Sequence, residues 1–281
     1  MTYQLTKNQN CGKPVSDKRR EKSMSIIVFS DECGSWSDTS ETLYIRSFIC
    51  FQEDSYDLMC GKLHRDGVVD KIPKWRASGE LRANAGFCNF LFEDARIFIA
   101  LTDMEQFRRT PYKVRTAITR LDYDELLKDF RSEFDLKKDL VNKVNQLLFL
   151  NIYEREFLFR LKATLTVAYS GQAIAEFALD NPQHNNDDYE EMAKGVLGDI
   201  SFSFIKDEKD SPGICIADLV AGCLRDTLLK KGVKDAEAFY VSAVRPKLIP
   251  GDKKNPNPSY QFWTNGIKEI QDQLVRLFTL K

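Results

Sequence analysis

The chain has 281 residues, 43% apolar and 30% charged, with a formal net charge of −1. That balance suits a globular protein and excludes a chain too polar to bury a core. With charge near zero there is no global basic field, so any nucleic-acid binding has to come from a local patch.

Residues 1–24 are polar, with Lys7, Lys13, Lys18, Arg19, Arg20 and Lys22 against Asp17 and Glu21. They read as a flexible basic tail, or equally as an extension ahead of a natural start at Met24. Strand one is expected over about Ser25–Ser30, a β-branched and aromatic run that stops at the turn Asp31-Glu32-Cys33-Gly34-Ser35. Leu43–Cys50 reads as strand two, Ser55–Leu63 as a helix, 66–83 as loop and Gly86–Glu93 as a short helix. Arg96–Leu101 is strand three, ending at Thr102-Asp103. From Asp139 to about Ala168, Leu140, Val144, Leu147, Phe157, Leu161, Leu165 and Ala168 recur at helical steps over most of the segment, the longest helical pattern in the chain. Strand four is expected over Ile174–Leu179, ending at Asp180, a helix over Asp187–Leu197 and strand five over Ile200–Ile205. Ile214–Leu229 reads as a helix apolar on nearly all sides, and Gln261–Leu280 as a terminal amphipathic helix. Strands alternating with helices, and the absence of a long linker or repeat, imply one α/β domain over 25–281.

The seven cysteines (Cys11, Cys33, Cys50, Cys60, Cys88, Cys215 and Cys223) are odd in number, form no C-x-x-C pair and in several cases sit inside apolar runs. They read as reduced core thiols rather than a disulfide frame or a zinc site. Two histidines, His64 and His184, leave a histidine-based triad poorly supplied. No apolar run approaches a membrane span and the N-terminus has no apolar signal core. The expectation is a cytoplasmic protein with no membrane partner.

Chemistry concentrates in four carboxylates. Asp31 and Asp180 each close a strand, and Asp218 is the acidic residue of the otherwise apolar helix, where a charge is costly unless it is paired or holds a metal. If the two strands are neighbours, these three reach one rim, within roughly 8 Å of one another, as metal-assisted phosphodiester hydrolysis needs. Glu80, in Ser78-Gly79-Glu80-Leu81-Arg82, is a fourth candidate. Asp and Glu oxygens suit Mg2+ or Mn2+ without any His or Cys. Each residue also has a structural reading: Asp31 and Asp180 as turn residues, Glu80 as a partner of Arg82, Asp218 as a charge neutralised by Arg225 or by a backbone donor.

These residues resemble a known family. Asp31-Glu32-Cys33-Gly34 is similar to the Asp-Glu-Ser-Gly signature that opens the bacterial and phage family called domain of unknown function 3800. Ile214-Cys215-Ile216-Ala217-Asp218-Leu219-Val220-Ala221-Gly222 is similar to its closing helix, Glu80-Leu81-Arg82 to its central motif, and Asp180 stands where the family has an Asp after strand four. The resemblance covers about residues 25–230 and implies a ribonuclease-H-like mixed five-stranded sheet flanked by helices, here with a helical insertion and a C-terminal helix. It also implies a Mg2+- or Mn2+-dependent nuclease site with Asp31, Glu80, Asp180 and Asp218 as catalytic residues and Asp31, Asp180 and Asp218 as metal ligands. Cys33 replaces the family's Ser and Cys215 its Gln, and Glu80 precedes strand three where the helical Glu of ribonuclease H follows it. Within the long insertion of about 104–173, Arg108, Arg109, Lys113 and Arg115 lie among Phe107 and Tyr112, a pattern suited either to tracking phosphates with base stacking or to a solvated helix face.

The rivals are fewer. A nucleotide-binding module lacks any Gly-rich phosphate loop. An aspartyl-nucleophile phosphohydrolase needs an Asp where Cys33 stands. An inactive ribonuclease-H-like scaffold, acting as a binding or sensor protein, is the alternative to a nuclease, because the two cysteine departures touch both signatures.

Overall fold

A computed structural model describes residues 25–35, 40–67, 72, 75, 90–104, 146, 149–180, 186–205, 211–229 and 236–249. Among these, five strands form one sheet: β1 (Ile26–Cys33), β2 (Leu43–Gln52), β3 (Arg96–Asp103), β4 (Ile174–Asp180) and β5 (Ser201–Ile205). Their order across the sheet is β3-β2-β1-β4-β5. The first three strands run antiparallel as a meander, and β4 and β5 are parallel to β1. Parallel neighbours need long connections: α2 (Arg155–Ala168) leads into β4 and α3 (Asn186–Leu197) joins β4 to β5, while α1 (Glu53–Arg65) lies between the antiparallel β2 and β3 and α4 (Pro212–Leu228) follows β5. The architecture is a mixed five-stranded α/β sheet flanked by helices.

Both faces of the sheet are covered, which explains why β1 and β2 read as near-continuous apolar runs. Alternation along β1 sends Ile27 and Phe29 into one core with the α4 residues Ile214, Ile216, Leu219 and Val220. Ile26 and Val28 go into the other, with Phe157, Leu161 and Leu165 of α2 and Tyr189 and Ala193 of α3. α4 is apolar all round because it is enclosed all round: every residue in it is buried except Asp218 and Asp226. Its start is set by Ser211, whose hydroxyl accepts from the Ile214 N–H, and by Pro212 in the first turn. Beyond the sheet, the chain returns along β3, where the Ile249 N–H donates to the Ile97 carbonyl at 3.0 Å and covers part of that edge.

Several boundaries differ from the sequence reading. β1 does not stop at Ser30. It runs on through Asp31, Glu32 and Cys33, because these three pair with Ser47, Arg46 and Ile45 of β2. The parallel ladder to β4 does end at Ser30, opposite Leu179. Strand three extends to Asp103, which pairs with Leu43, and Asp180 is the last residue of β4 rather than the first after it. The long helical pattern is not one regular helix where it is described: Phe149–Glu154 is a π-helical turn that passes into α2. The tail, the helices expected at Gly86–Glu93 (apart from its last residues) and Gln261–Leu280, and most of the insertion lie outside the described residues.

Candidate active site

Asp31 shares its face of β1 with Phe29 and Ile27, since side chains on a strand alternate with a period of two. That face is the one α4 covers. Asp180 stands in the same relation to Ala178, which packs in the same core. Ser30 and Leu179 are register partners on adjacent parallel strands, so Asp31 and Asp180 are the next residue on each strand, side by side at the C-terminal rim. Asp218 arrives from above. Ser47, the cross-strand partner of Asp31, donates its hydroxyl to the Ala217 carbonyl at 2.8 Å, which seats α4 over Asp31's row.

The charges of these groups act on Asp31. Asp31 is only 6% exposed. Its pKa is raised well above the ordinary carboxylate value, first by burial, then by the charges of Glu32, Asp218 and Asp180. The Glu32 backbone N–H, donating to Asp31 Oδ1 at 2.7 Å, pulls the other way. Asp218 is half-buried, and its Oδ2 accepts the backbone N–H of Trp75 at 2.7 Å. Of the two partners expected for Asp218, the backbone donor is present as the Trp75 N–H, and the salt bridge of Arg225 goes to Glu41. Glu80, Arg108, Arg109, Lys113 and Arg115 lie outside the described residues.

The departures in the two signatures have simple settings. Cys33 shares Asp31's face and is pushed up to about 11 by burial, against the pull of Arg225, with Asp218 and Asp31 adding to the rise. It is a poor nucleophile at neutral pH. Cys215 is buried in α4 one turn before Asp218. Cys33, Cys50, Cys60, Cys215 and Cys223 all carry free thiols. Gly34 is required for two reasons: its φ is +103°, and a Cβ there would lie 2.5 Å from the Leu43 carbonyl oxygen. The turn after the acidic pair must therefore end on glycine.

Sequence reasoning missed a second polar cluster, on the opposite face of β1 and β2. Arg46 is fully buried and lies between two carboxylates. Its Nε is 2.9 Å from Glu154 Oε1 and 2.8 Å from Oε2, and an Nη atom lies 2.8 Å from Glu32 Oε2 in an ion pair without hydrogen-bond alignment. Tyr44 donates to Glu154 at 2.6 Å and accepts from Arg46 at 2.7 Å, and Tyr189 donates to Glu154 at 3.3 Å. Burial opposes the charge of Arg46, but Glu154 and then Glu32 outweigh it and hold the guanidinium well above its usual value. Glu32 therefore ties the rim strand to the π-helical turn beneath the sheet, one residue from Asp31. The available signal was a charged residue, Arg46, at a core-facing step of the alternation Tyr44-Arg46-Phe48-Cys50.

Comparison adds little to this. No family model matches the chain, and no curated protein matches it. Among solved structures it is similar to the ribonuclease H2 from Pyrococcus horikoshii OT3, with a TM-score of 0.38 and 10% identity over 90% of this chain and 98% of that one. A similarity that distant transfers no residue's role. Among the described residues, no helix is long and apolar enough to cross a membrane, and no three His, Cys, Asp or Glu side chains stand close enough together to hold a metal ion by themselves.

Proposed function

We propose that this chain is a divalent-metal-dependent hydrolase of phosphodiester bonds in nucleic acid, working at the rim formed by Asp31, Asp180 and Asp218 within a single domain over 25–281. The observation that carries the reading is the setting of Asp31: a buried carboxylate at the sheet rim on which the charges of Glu32, Asp218 and Asp180 all act. Burying like charges at a sheet rim is costly in any fold and is sustained where a cation is to be bound.

The donor set fits Mg2+ or Mn2+, which take carboxylate oxygen. Mg2+ commonly keeps several waters and is held by one or two carboxylates with substrate phosphates completing its shell, so a complete cage of protein ligands is not needed. Asp31, Asp180 and Asp218 would hold the ion, with Glu80 as a further ligand. When bound, a divalent ion polarises the scissile phosphate and favours an attacking hydroxide. The chain's own contribution is rigidity. β1 and β4 fix two carboxylates on one row, Ser47 pins α4 above it, and the Arg46–Glu32 pair holds the end of β1. Arg108, Arg109, Lys113 and Arg115 are proposed to track the phosphates. Free thiols throughout the described residues are in keeping with a reducing, cytoplasmic setting.

The test is hydrolysis of DNA, RNA and hybrid substrates with Mg2+ or Mn2+ by the purified chain and by Asp31→Asn and Asp218→Asn. Each amide keeps the size and an acceptor oxygen but removes a charge. Both variants should therefore stay folded and lose activity by two orders of magnitude or more. Full activity in Asp31→Asn, or no metal-dependent cleavage by the unaltered protein, refutes the nuclease reading and favours the inactive scaffold.

A further inference from the structure

Asp218, Gly222 and Asp226 are spaced four residues apart on α4, so they form one ridge of the helix. Trp75 lies along that ridge. Its backbone N–H donates to Asp218 Oδ2 at 2.7 Å, and its indole N–H donates to Asp226 Oδ2 at 2.6 Å. Between them the ring sits on Gly222, where a Cβ would come within 2.5 Å of the indole Cγ. Trp75 is 4% exposed, and its ring packs against that of Phe239 at 5.5 Å between centroids. Asp218 and Asp226 are thus the two half-buried residues of an otherwise buried helix, and one tryptophan binds both.

We propose that Trp75 is a positioning residue that orients the Asp218 carboxylate toward Asp31 and so sets the affinity of the rim for a divalent cation. The inference rests on the metal-site reading above. The Trp75 amide holds Asp218 Oδ2, so the carboxylate cannot turn without breaking a charge-assisted bond. The Asp226 bond and the Gly222 floor fix the ring, and the ring fixes the amide. A loose carboxylate would have to be ordered each time an ion bound, which weakens binding.

The experiment measures Mn2+ binding to the full chain through the paramagnetic resonance of free Mn2+, alongside thermal melts. Trp75→Phe loses the indole donor and Gly222→Ala displaces the ring. The Mn2+ Kd should rise at least threefold in the first and about tenfold in the second. Ile97→Val, a core change on β3, should lower the melting temperature and leave the Kd alone. In a chain with Trp36 and Trp263 changed to Phe, Mn2+ should quench the remaining Trp75 fluorescence saturably, and Asp218→Asn should abolish that saturation. Absence of Mn2+ binding by the unaltered protein overturns the metal-site reading and this inference together. Tight binding that persists in both Trp75→Phe and Gly222→Ala overturns the inference alone. So does a loss of affinity in Ile97→Val that matches theirs at equal destabilisation.

Discussion

Replacing Arg46 by Met should destabilise the protein far more than replacing Glu154 by Gln, although the two residues make the same salt bridge. The cluster contains one positive group and two negative ones, all essentially shielded from water: Arg46 and Glu154 are fully buried and the Glu32 side chain is 8% exposed. Arg46→Met leaves two carboxylates buried without their cation. Stripping one partner from a buried pair costs about 3–5 kcal/mol. For a domain of this size that is roughly 6–20 °C in melting temperature, at about 2–4 °C per kcal/mol. Glu154→Gln leaves Arg46 paired with Glu32, and the amide oxygen can keep both the Tyr44 hydroxyl and the Arg46 Nε, which now share Oε1. The loss is one charge-assisted bond, about 1–2 kcal/mol. Urea unfolding followed by circular dichroism separates the cases through their midpoints at a common slope. Equal losses in the two variants, or a loss below about 1 kcal/mol in Arg46→Met, would refute the view that Arg46 neutralises this face of the sheet.

Three further outcomes are expected. Because Asp31 is raised above its unfolded value of 3.8, it favours the folded state fully below about pH 4 and loses that contribution as pH rises through its folded value; without metal, the melting temperature of wild type relative to Asp31→Asn should fall from pH 4 toward neutrality, and a flat or rising difference contradicts this. Gly34→Ala should cost at least about 2 kcal/mol, since the positive φ and the Leu43 carbonyl both resist a Cβ; a melting temperature within a degree of wild type would show that the turn is not fixed as described. Ser47→Ala removes the bond to the Ala217 carbonyl and should cost about 1 kcal/mol while weakening Mn2+ binding, and unchanged binding would mean α4 is seated by packing alone.

The apolar pattern made the sheet legible. Ile26–Phe29, Arg96–Leu101 and Ile200–Ile205 are short runs of β-branched and aromatic residues closed by turn or polar residues, and each became a strand within a few residues of its expected ends. The error at Asp31 has a physical origin. A run of hydrophobicity ends where burial on both faces ends, whereas a strand ends where its hydrogen bonds end, and β2 continues to pair for three polar residues beyond Ser30. Asp218 was legible as a charge on an apolar helix, but its partner was not: Trp75 is 143 residues away and contributes a backbone group, which sequence does not advertise. The same holds for Arg46 and Glu154, 108 residues apart. A buried charge predicts that a partner exists without saying which. The break at Glu154 was hidden because a π-helical turn shifts the phase of the apolar stripe between Leu147 and Phe157 without interrupting helical composition.

The central claim is that Asp31, Asp180 and Asp218 form one cation site. Titration calorimetry with Mn2+ at neutral pH on wild type, Asp31→Asn, Asp180→Asn and Asp218→Asn tests it directly. Saturable binding in wild type, weakened at least tenfold in every one of the three variants while their melts stay cooperative, is the predicted result. Wild-type binding that survives any one of the substitutions unchanged would remove that residue from the site, and no saturable binding by wild type would contradict the account.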